Sequence, residues 1–528
     1  MSIVVRRLTY RHADKEMLFQ DLSFVVKRGQ KVAFVGNNGT GKSTLMRVIN
    51  GELSAVSGEI TCAGTTYHVP QHFGQYDHLT IAEALRIDKK LTALRAITGG
   101  DVSEEHFTVL GEDWDIEERA RTALEIWDLE YVSLFRPLAS LSGGEKTRVL
   151  LAGIHLHSPE IILLDEPTNH LDSECRERLY ELIRNAEATI VVISHDRVLL
   201  NLLSSIYELD KRGITYYNGN YDFYKTQKES LIHALYAQLD EKEKELRLAR
   251  KVARETVERK RKSDVRGEKR SAKKGISRMA MNTLKDKAEK STSAMKGVHE
   301  EKQRSIAEKL TGVRACLPDI KSMKVDFNTS SLHTGKILIT ARRINFVYSS
   351  VPLWEKDLDF LIKSGDRVLI RGKNGSGKTT LLRLMTGELN PSRGALTLAD
   401  FKYVYLDQEY SIIKNDLSVF EQVRRFTAVR QEHEIKTILN RFLFPMPVWE
   451  KSCRMLSGGE KMKLALCCLM ISSDTPDVFI LDEPTNNIDM QNVEILTATV
   501  KDFRGTVLLI SHDPYFVEQI GVDYTINL

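Results

Sequence analysis

Two glycine-rich segments have residue types and spacing that suit phosphate binding. GNNGTGKST begins at Gly36 and GKNGSGKTT begins at Gly372, and each follows an apolar run and precedes a helical pattern. In this order of strand, loop and helix, glycines allow backbone N–H groups to surround phosphate oxygens, and the helix N-terminus adds partial positive charge. Each segment therefore predicts a nucleotide phosphate loop.

The side chains of these loops complete the chemistry. Lys42 and Lys378 would contact the β- and γ-phosphates, and the hydroxyls of Ser43 and Thr379 would bind Mg²⁺. A glycine-rich turn with a solvated lysine is the alternative for one copy, but two copies in register argue against it. The residues predicted to bind nucleotide in the loops are Gly36, Asn37, Asn38, Gly39, Thr40, Gly41, Lys42, Ser43 and Thr44, then Gly372, Lys373, Asn374, Gly375, Ser376, Gly377, Lys378, Thr379 and Thr380.

Two further apolar strands each end in an acidic pair, Asp165 with Glu166 and Asp482 with Glu483. A strand buried on both faces should not end in two carboxylates unless they meet a counter-charge, which Mg-nucleotide would supply. The aspartates are then predicted to bind the metal, and the glutamates to orient or polarise the attacking water. An acidic strand end that caps a helix is the alternative for either pair alone.

A histidine follows the next apolar strand in each case, His195 after residues 190–193 and His512 after residues 507–510. Each is placed to contact a γ-phosphate. A single histidine after a strand is more often structural, and Gln71 and Gln408, which follow other strands, are individually weak signals for the same reason. The ordered set of motifs carries the prediction.

The motifs form an internal repeat. Five motifs occur in the same order in both copies: the phosphate loop, the glutamine, LSGGE at 141 and 456, the acidic pair and the histidine. The sequence separations between corresponding motifs are 336, 337, 315, 317 and 317 residues. The first copy therefore has about 22 extra residues between Gln71 and Leu141. A serine and two glycines that open a helix form a second anion-binding end, so LSGGE is expected to serve the other copy.

Composition limits the class of protein. The 528 residues carry a net charge of +4, with 42% hydrophobic and 28% charged residues, which is typical of a globular chain. No run of 18 apolar residues is present, and the N-terminus lacks the order of a secretory signal, so we expect no membrane span and a cytoplasmic location. The six cysteines form no CxxC pair, which argues against zinc and disulfides.

The basic charge is concentrated between the two copies. Residues 247–296 contain 18 Lys and Arg and 6 Asp and Glu, a local charge of +12, so the rest of the chain carries −8. A helix from Ser230 to about Arg261 is predicted, with Leu231, Leu235, Leu239 and Leu246 as its apolar stripe. A return arm would use Leu284, Met295, Val298, Ile306 and Leu310, and Gly267 and Gly275 would bracket the tip. A basic hairpin suits a nucleic-acid backbone, although a merely solvated hairpin has the same composition.

Taken together, the motif order resembles that of the ATP-binding cassette superfamily, and two cassettes without membrane spans resemble its ABC-F branch. LSGGEKTRVLLA at 141–152, DEPTNHLD at 165–172 and YNGNYDFYKTQKE at 217–229 are also similar to ABC-F sequences. The resemblance implies an α/β fold of two P-loop NTPase domains in tandem, joined by a long α-helical hairpin linker. The implied boundaries are 1–221 for cassette one with a helical arm at about 80–127, 222–334 for the linker, and 335–528 for cassette two.

The resemblance also implies a head-to-tail cassette sandwich that binds two ATP molecules with Mg²⁺. Both composite sites keep a glutamate, so both are expected to hydrolyse ATP. The adenine-stacking residue would be Tyr348 in cassette two and either Tyr10 or His12 in cassette one. Site one would combine Lys42, Ser43, Gln71, Asp165, Glu166 and His195 with Ser457, Gly458 and Gly459. Site two would combine Lys378, Thr379, Gln408, Asp482, Glu483 and His512 with Ser142, Gly143 and Gly144. Ser43, Gln71, Asp165, Thr379, Gln408 and Asp482 would be the metal-side ligands.

In function, the resemblance implies a monomeric, RNA-binding ATPase that acts on ribosomes as a translation factor. Residues 247–296 would contact rRNA and tRNA in the ribosomal tRNA exit region, and hydrolysis would drive release. A factor that protects ribosomes from antibiotics shares this biochemistry and stays open as an alternative. An ATPase subunit of a transporter or of a DNA-repair machine is less well matched, since a basic linker between two complete cassettes has no evident use there.

Overall fold

A computed structural model of the chain describes residues 2–12, 17–71, 74–210, 212–273, 278–316, 332–348, 351–427, 430–472, 476–486 and 488–528. Within these ranges it describes every side chain except those of residues 75, 264, 267–273, 278–290 and 292. The chain divides into two units, one made of Met1–Asp222 with Ser322–Leu528 and the other of Phe223–Lys321.

The first unit begins with cassette one, a parallel sheet with helices packed on it and a smaller antiparallel sheet. The parallel core has the order β5-β6-β7-β3-β8, with β9 added antiparallel, and the antiparallel sheet has the order β2-β1-β4. The strands are β1 (Ile3–Arg11), β2 (Met17–Val26), β3 (Lys31–Val35), β4 (Ser57–Cys62), β5 (Thr66–Val69), β6 (Ile161–Asp165), β7 (Thr189–Ile193), β8 (Ser205–Asp210) and β9 (Gly213–Tyr217). The helices are α1 (Lys42–Ile49), α2 (Ile81–Ala84), α3 (Asp88–Thr98), α4 (Glu104–Leu110), α5 (Ile116–Glu125), α6 (Gly143–His157), α7 (Ser173–Asn185) and α8 (Arg197–Asn201).

Cassette two repeats this architecture. Its parallel sheet has the order β16-β17-β18-β14-β19, and its antiparallel sheet has the order β13-β10-β15. The strands are β10 (Ile337–Asn345), β11 (Val347–Tyr348), β12 (Val351–Pro352), β13 (Leu358–Lys363), β14 (Arg367–Arg371), β15 (Arg393–Leu398), β16 (Tyr403–Leu406), β17 (Val478–Asp482), β18 (Thr506–Ile510) and β19 (Tyr524–Asn527). The helices are α11 (Lys378–Met385), α12 (Val419–Arg424), α13 (Glu432–Arg441), α14 (Gly458–Ile471), α15 (Met490–Asp502) and α16 (Pro514–Ile520).

The central strands are apolar along their whole length because helices cover both faces of a parallel sheet. Every residue of β6 and β7 is buried, with Leu163 paired to Val191, and β17 and β18 pair in the same way. In parallel strands all carboxyl ends meet at one edge, which brings the acidic pairs and the histidines of each cassette together. This confirms the predicted α/β class with two tandem cassettes.

The insertion in cassette one contains four short helices, α2 to α5, in the region where a helical arm at about 80–127 is expected. The Gly99-Gly100 turn lies between α3 and α4, and Gly100 has φ 96°. Further breaks occur at Arg86 and Gly111, which have φ of 60° and 59° and therefore cannot continue a right-handed helix.

The second unit is a pair of long helices, α9 (Tyr221–Lys273) and α10 (Arg278–Cys316). At about 1.5 Å per residue α9 is about 80 Å long, longer than predicted, because it starts earlier and continues through Gly267. The two helices are antiparallel: Lys260 Nζ donates to Ser291 Oγ at 2.7 Å, and Arg314 pairs with Glu243 at 2.7 Å.

The predicted apolar stripe of this hairpin is partly wrong. Leu231 and Val298 are 51% and 68% exposed, whereas Ile306 and Leu310 are buried. The partly buried positions of α9 include short and polar residues such as Ala249 and Lys242, which an apolar pattern does not select. The side chains of Leu284, Lys269, Arg270 and Lys273, and residues Lys274 and Gly275 altogether, lie outside the described part.

Among the described residues, no helix combines the length and the apolar character needed to cross a membrane.

Candidate functional site

Each phosphate loop is closed by a glycine at the start of a helix. Gly41 precedes α1 with φ 93°, and Gly377 precedes α11 with φ 91°. A Cβ on either glycine would lie within 2.7 Å of a leucine side chain, Leu18 or Leu353. The loops therefore need glycine for both backbone conformation and space, and their N–H groups stay available for an anion.

The loop lysines occupy equivalent positions in the two copies. Lys42 Nζ donates to the carbonyl of Gly36 at 2.7 Å, and Lys378 Nζ donates to the carbonyl of Gly372 at 2.7 Å. Burial lowers the pKa of both amines, and the neighbouring acidic pairs oppose that shift. Each ammonium group is thus held inside its loop, where it can pair with phosphate oxygens.

The two glutamates have an uncommon backbone conformation. Glu166 and Glu483 directly follow β6 and β17, and both have φ 50°. Their N–H groups donate to the carbonyls of Ile193 and Ile510 at 2.8 and 2.9 Å, so the neighbouring strand holds this conformation. A strained backbone kept in both copies points to a functional constraint on where the carboxylate lies.

Burial also sets the charge state of these carboxyls. It raises the pKa of Glu166 to about 8 and that of Glu483 to about 7, with Asp165 or Asp482 adding repulsion. Burial raises the pKa of Asp482 as well. Buried acidic pairs of this kind favour a bound cation, and Mg²⁺ prefers oxygen ligands. Asp165 and Asp482 are therefore suited to their predicted role as metal ligands.

The two histidines lie beside the glutamates. In both copies histidine Nε2 is 3.3 Å from glutamate Oε1, for His195 with Glu166 and for His512 with Glu483. Burial and the nearby cations lower the pKa of His195 to about 3 and that of His512 to about 4. Both imidazoles are therefore neutral at pH 7 and can donate or accept a hydrogen bond at a phosphate.

The LSGGE motifs begin helices in both cassettes. Ser142 caps α6 and Ser457 caps α14, and each forms a reciprocal capping box with the glutamate three residues later, Glu145 or Glu460. Glycine is needed here for space, since a Cβ would lie 2.7 Å from the carbonyl oxygen of His170 at Gly144 and still closer to Asn492 Nδ2 at Gly459. Each capped helix start can offer backbone N–H groups to an anion.

Contacts between the cassettes join each phosphate loop to the segment after the opposite acidic pair. Asn38 N donates to Asp489 Oδ2 at 3.4 Å, and Asn374 N donates to Asp172 Oδ2 at 3.5 Å. Asp172 and Asp489 also cap α7 and α15 through their other oxygens. The two phosphate loops thus lie on the seam between the cassettes.

Site two receives a further residue of cassette one. The carbonyl of His170 accepts a hydrogen bond from Asn374 Nδ2 at 3.0 Å, and its ring Nδ1 is 3.5 Å from Gln408 Nε2. Gly144 of the signature is close as well, since a Cβ there would be 3.5 Å from Asn374 Nδ2. The matching residue at site one, Asn487, lies outside the described part.

A cavity of about 620 Å³ lies at the second phosphate loop, within the usual size range of small-ligand sites. Lys378, Thr379, Gln408, Asp482 and Glu483 line it, so the structure brings these predicted residues together. Tyr348 lines the same cavity and is half-exposed, as an adenine-stacking ring requires.

At site one the described contacts are fewer. Lys42 interacts electrostatically with Asp165 and Glu166, and Gln71 is half-buried just beyond β5. Tyr10 packs on Phe19 with ring centroids 5.8 Å apart, whereas His12 is exposed. Within the described part of the chain, no hydrogen bond joins Ser457, Gly458 or Gly459 to the first phosphate loop.

Besides His170 and Asp172, sequence reasoning missed Ser173 and Arg176 at site two. Ser173 Oγ is 3.0 Å from His512 Nδ1, and Arg176 Nη1 donates to the carbonyl of His512 at 3.4 Å. The available signal was a difference between the copies, because the positions 317 residues later hold Met490 and Val493.

Comparison with known proteins agrees with this geometry. The ABC transporter family model matches residues 19–169 and 355–486. The ABC transporter ATP-binding protein YfmR of Bacillus subtilis is 28% identical over 98% of this chain and 80% of its own. ABC transporter F family member 2 of Arabidopsis thaliana is 29% identical over 95% of this chain and 73% of its own.

Among solved structures, the complex of an archaeal ribosomal stalk protein with the archaeal ribosome recycling factor aABCE1 matches with a TM-score of 0.59. The match has 18% identity and covers 99% of this chain and 87% of that chain, which supports the fold. The chain therefore belongs to the ABC transporter family as a two-cassette ATPase, and it is similar to an ABC-F protein.

Proposed function

We propose that this ATPase is a ribosome-associated translation factor. ATP and Mg²⁺ bind at the seam between the cassettes and favour the closed form, which binds ribosomes through the linker. Hydrolysis then opens the seam and releases the factor. The observation that carries the ATP-dependent closure is the pair of contacts from Asp172 and Asp489 to the opposite phosphate loops, since a nucleotide at those loops would act directly on these contacts.

The roles proposed for site residues follow the geometry. Lys42 and Lys378 pair with the phosphates. Glu166 and Glu483, in the ionised form that a bound cation would favour, hold the attacking water and accept its proton. Mg²⁺, when bound, neutralises charge on the β- and γ-phosphate oxygens. The residues that would hold it are Ser43, Gln71 and Asp165 at site one, and Thr379, Gln408 and Asp482 at site two.

Asn201 can couple closure of the cassettes to the first turn of the linker helix α9. Its Oδ1 accepts a hydrogen bond from Asp222 N at 3.1 Å, and its Nδ2 donates to Tyr515 Oη at 3.1 Å. Tyr515 lies three residues after His512 of cassette two, and Asp222 is the second residue of α9. A movement at the second ATP site is thereby transmitted to the start of the linker helix.

The linker supplies the surface that contacts RNA in this proposal. Seven basic residues of α9 between 247 and 262 are exposed to solvent, as is Arg266. Their charges are therefore accessible to a partner. Such a row of cations suits the phosphate backbone of rRNA and tRNA in the tRNA exit region. We propose domain boundaries at 1–221, 222–334 and 335–528 to match, and a cytoplasmic monomer as the working form.

Two similar structures add support from their own partners. One is the ribosome recycling factor complex already described, and another is a model of ribosome-bound archaeal Pelota and ABCE1, which has a TM-score of 0.55 at 17% identity. Both structures concern proteins with ribosomal partners, and ribosome binding by this chain is inferred from that likeness and from its own basic linker.

The test is co-sedimentation of the Glu166→Gln, Glu483→Gln double variant with ribosomes, in ATP, in ADP and over a salt series. ATP-dependent retention that weakens with salt is expected. Reversing Arg261, Lys262 and Arg266 to Glu should abolish it, whereas reversing the exposed cassette residues Lys27, Arg28 and Arg504 should not.

Absence of ribosome binding in every nucleotide state, with normal ATP affinity, would refute the proposal and direct attention to membrane or DNA partners. Retention that depends on a ribosome-targeting antibiotic would instead favour the resistance factor, which shares the same ATP sites.

A further inference from the structure

The two histidines have the same position within their own cassettes. His195 N and His512 N each lie 3.4 Å from the adjacent glutamate Oε2, and each ring Nε2 lies 3.3 Å from Oε1. The two histidines therefore do not differ in their contacts with the adjacent glutamate, and the contacts to compare are those from the opposite cassette.

The opposite cassettes do differ. Helix α7 of cassette one presents Ser173 Oγ to the Nδ1 of His512 at 3.0 Å, and Arg176 Nη1 to its carbonyl at 3.4 Å. Helix α15 of cassette two has Met490 and Val493 at these positions, and neither side chain can hydrogen-bond in this way. Among the described residues, Nδ1 of His195 is buried and has no hydrogen-bond partner.

Arg176 is held in advance for this contact. The residue is 8% exposed, Nε donates to the carbonyl of Leu171 at 3.1 Å, and Nη1 is 3.7 Å from Asp196 Oδ2. A guanidinium group so enclosed is costly unless it is fully paired. The guanidinium group is therefore already in position to donate from Nη1 to the carbonyl of His512, and this hydrogen bond fixes the backbone of His512 across the seam.

We propose that Ser173 and Arg176 are positioning residues for ATP hydrolysis at site two, and that site two consequently hydrolyses ATP faster than site one. Neither residue touches the nucleotide. They act through His512, whose tautomer and ring position are set by the hydrogen bond to Ser173 and whose main chain is set by Arg176. An imidazole that is already in place needs less ordering in the transition state.

This inference rests on the proposed roles of the glutamates and histidines. The test measures each site separately: Glu166→Gln leaves site two active, and Glu483→Gln leaves site one active. Turnover should be several-fold higher in the Glu166→Gln chain than in the Glu483→Gln chain. Adding Arg176→Gln should lower kcat on the order of tenfold in the first background and less than about twofold in the second, with KM for ATP little changed.

Conservative and matched variants separate positioning from packing. Ser173→Thr keeps the hydroxyl and should keep activity, whereas Ser173→Ala should lose several-fold at site two. Arg184→Gln is the control, because Arg184 is on the same helix, is exposed and pairs only with Glu177 among the described side chains. It should leave both backgrounds unchanged.

Each outcome decides the question. An equal loss at both sites, or faster turnover at site one, would overturn the proposal. If neither single-glutamate variant turns over, Arg176→Gln is compared with Val493→Ala in the unmodified chain, and equal effects would overturn it. If the double glutamate variant still hydrolyses ATP, the proposed glutamate roles have failed instead.

Discussion

Site one and site two place their lysine, glutamate and histidine in nearly the same geometry. The lysine amine is 2.7 Å from the first loop carbonyl in both, the glutamate has φ 50° in both, and the histidine is 3.3 Å from that glutamate in both. These shared features are the ones that phosphate chemistry needs, and each is built within one cassette. The two copies of the internal repeat therefore share the geometry that residues of a single cassette determine.

The surroundings of the two sites differ. Tyr405 Oη donates to Asp482 Oδ2 at 2.7 Å, whereas the equivalent residue of cassette one, His68, is paired with Glu52 at 2.9 Å. Ser173 and Arg176 face His512, but Met490 and Val493 occupy the matching positions at site one. Residues that support the reacting groups can therefore vary while the groups themselves do not, so equal motifs do not predict equal rates.

The largest effect is expected when the glutamates of both sites are replaced. The Glu166→Gln, Glu483→Gln variant should lose at least about 100-fold in kcat, because a positioned base contributes about 10²- to 10⁴-fold. Phosphate release measures this, and binding of a fluorescent ATP analogue should be retained. Glu59→Gln, at an exposed position of β4, is the control and should turn over normally.

The next prediction concerns a feature that the sites share. Asp172→Ser and Asp489→Ser keep the helix cap but are too short to reach the opposite phosphate loop. Each should lower kcat at its own site by about tenfold, with Asp172→Ser measured in the Glu166→Gln background and Asp489→Ser in the Glu483→Gln background, because the two aspartate contacts are 3.5 and 3.4 Å. Steady-state turnover measures the loss. Strongly unequal losses would show that the seam is less symmetric than these contacts indicate.

A smaller effect is expected for a feature of site two alone. Tyr405→Phe removes the hydrogen bond to Asp482 and should change the Mg²⁺ concentration for half-maximal turnover a few-fold, since outer-shell partners orient metal ligands. The Glu166→Gln background reports this directly. Tyr403→Phe, on the same strand, is the matched control, because its hydroxyl lies near Glu388 instead.

The smallest effect is on stability. Asn201→Ala removes hydrogen bonds to Asp222 N and Tyr515 Oη and should cost about 1–2 kcal/mol of unfolding free energy. Denaturant unfolding measures the cost, and ATPase rates should change little. Glu518→Ala, the exposed equivalent in cassette two, should leave the stability unchanged; a similar loss there would argue against a special role for Asn201.

Much of the site was predictable because many of its residues belong to short, contiguous sequence motifs. Gly36 to Thr44 and Asp165 with Glu166 are contiguous segments whose spacing determines local backbone geometry. Hydrophobic patterning was less reliable in the linker, where Leu231 and Val298 are exposed. A helix of a two-helix hairpin buries only a narrow face, so a small error in phase moves a leucine into solvent.

The sequence by itself determined the two-cassette α/β fold, the phosphate loops and the order of the acidic pairs and histidines, because each depends on residues close together in the chain. Only the tertiary structure decided which cassette completes which site. Arg176 meets His512 across 336 residues, and such a contact depends on how two packed domains align. No local pattern encodes that alignment, since its energy comes from side chains that meet only after both cassettes have folded.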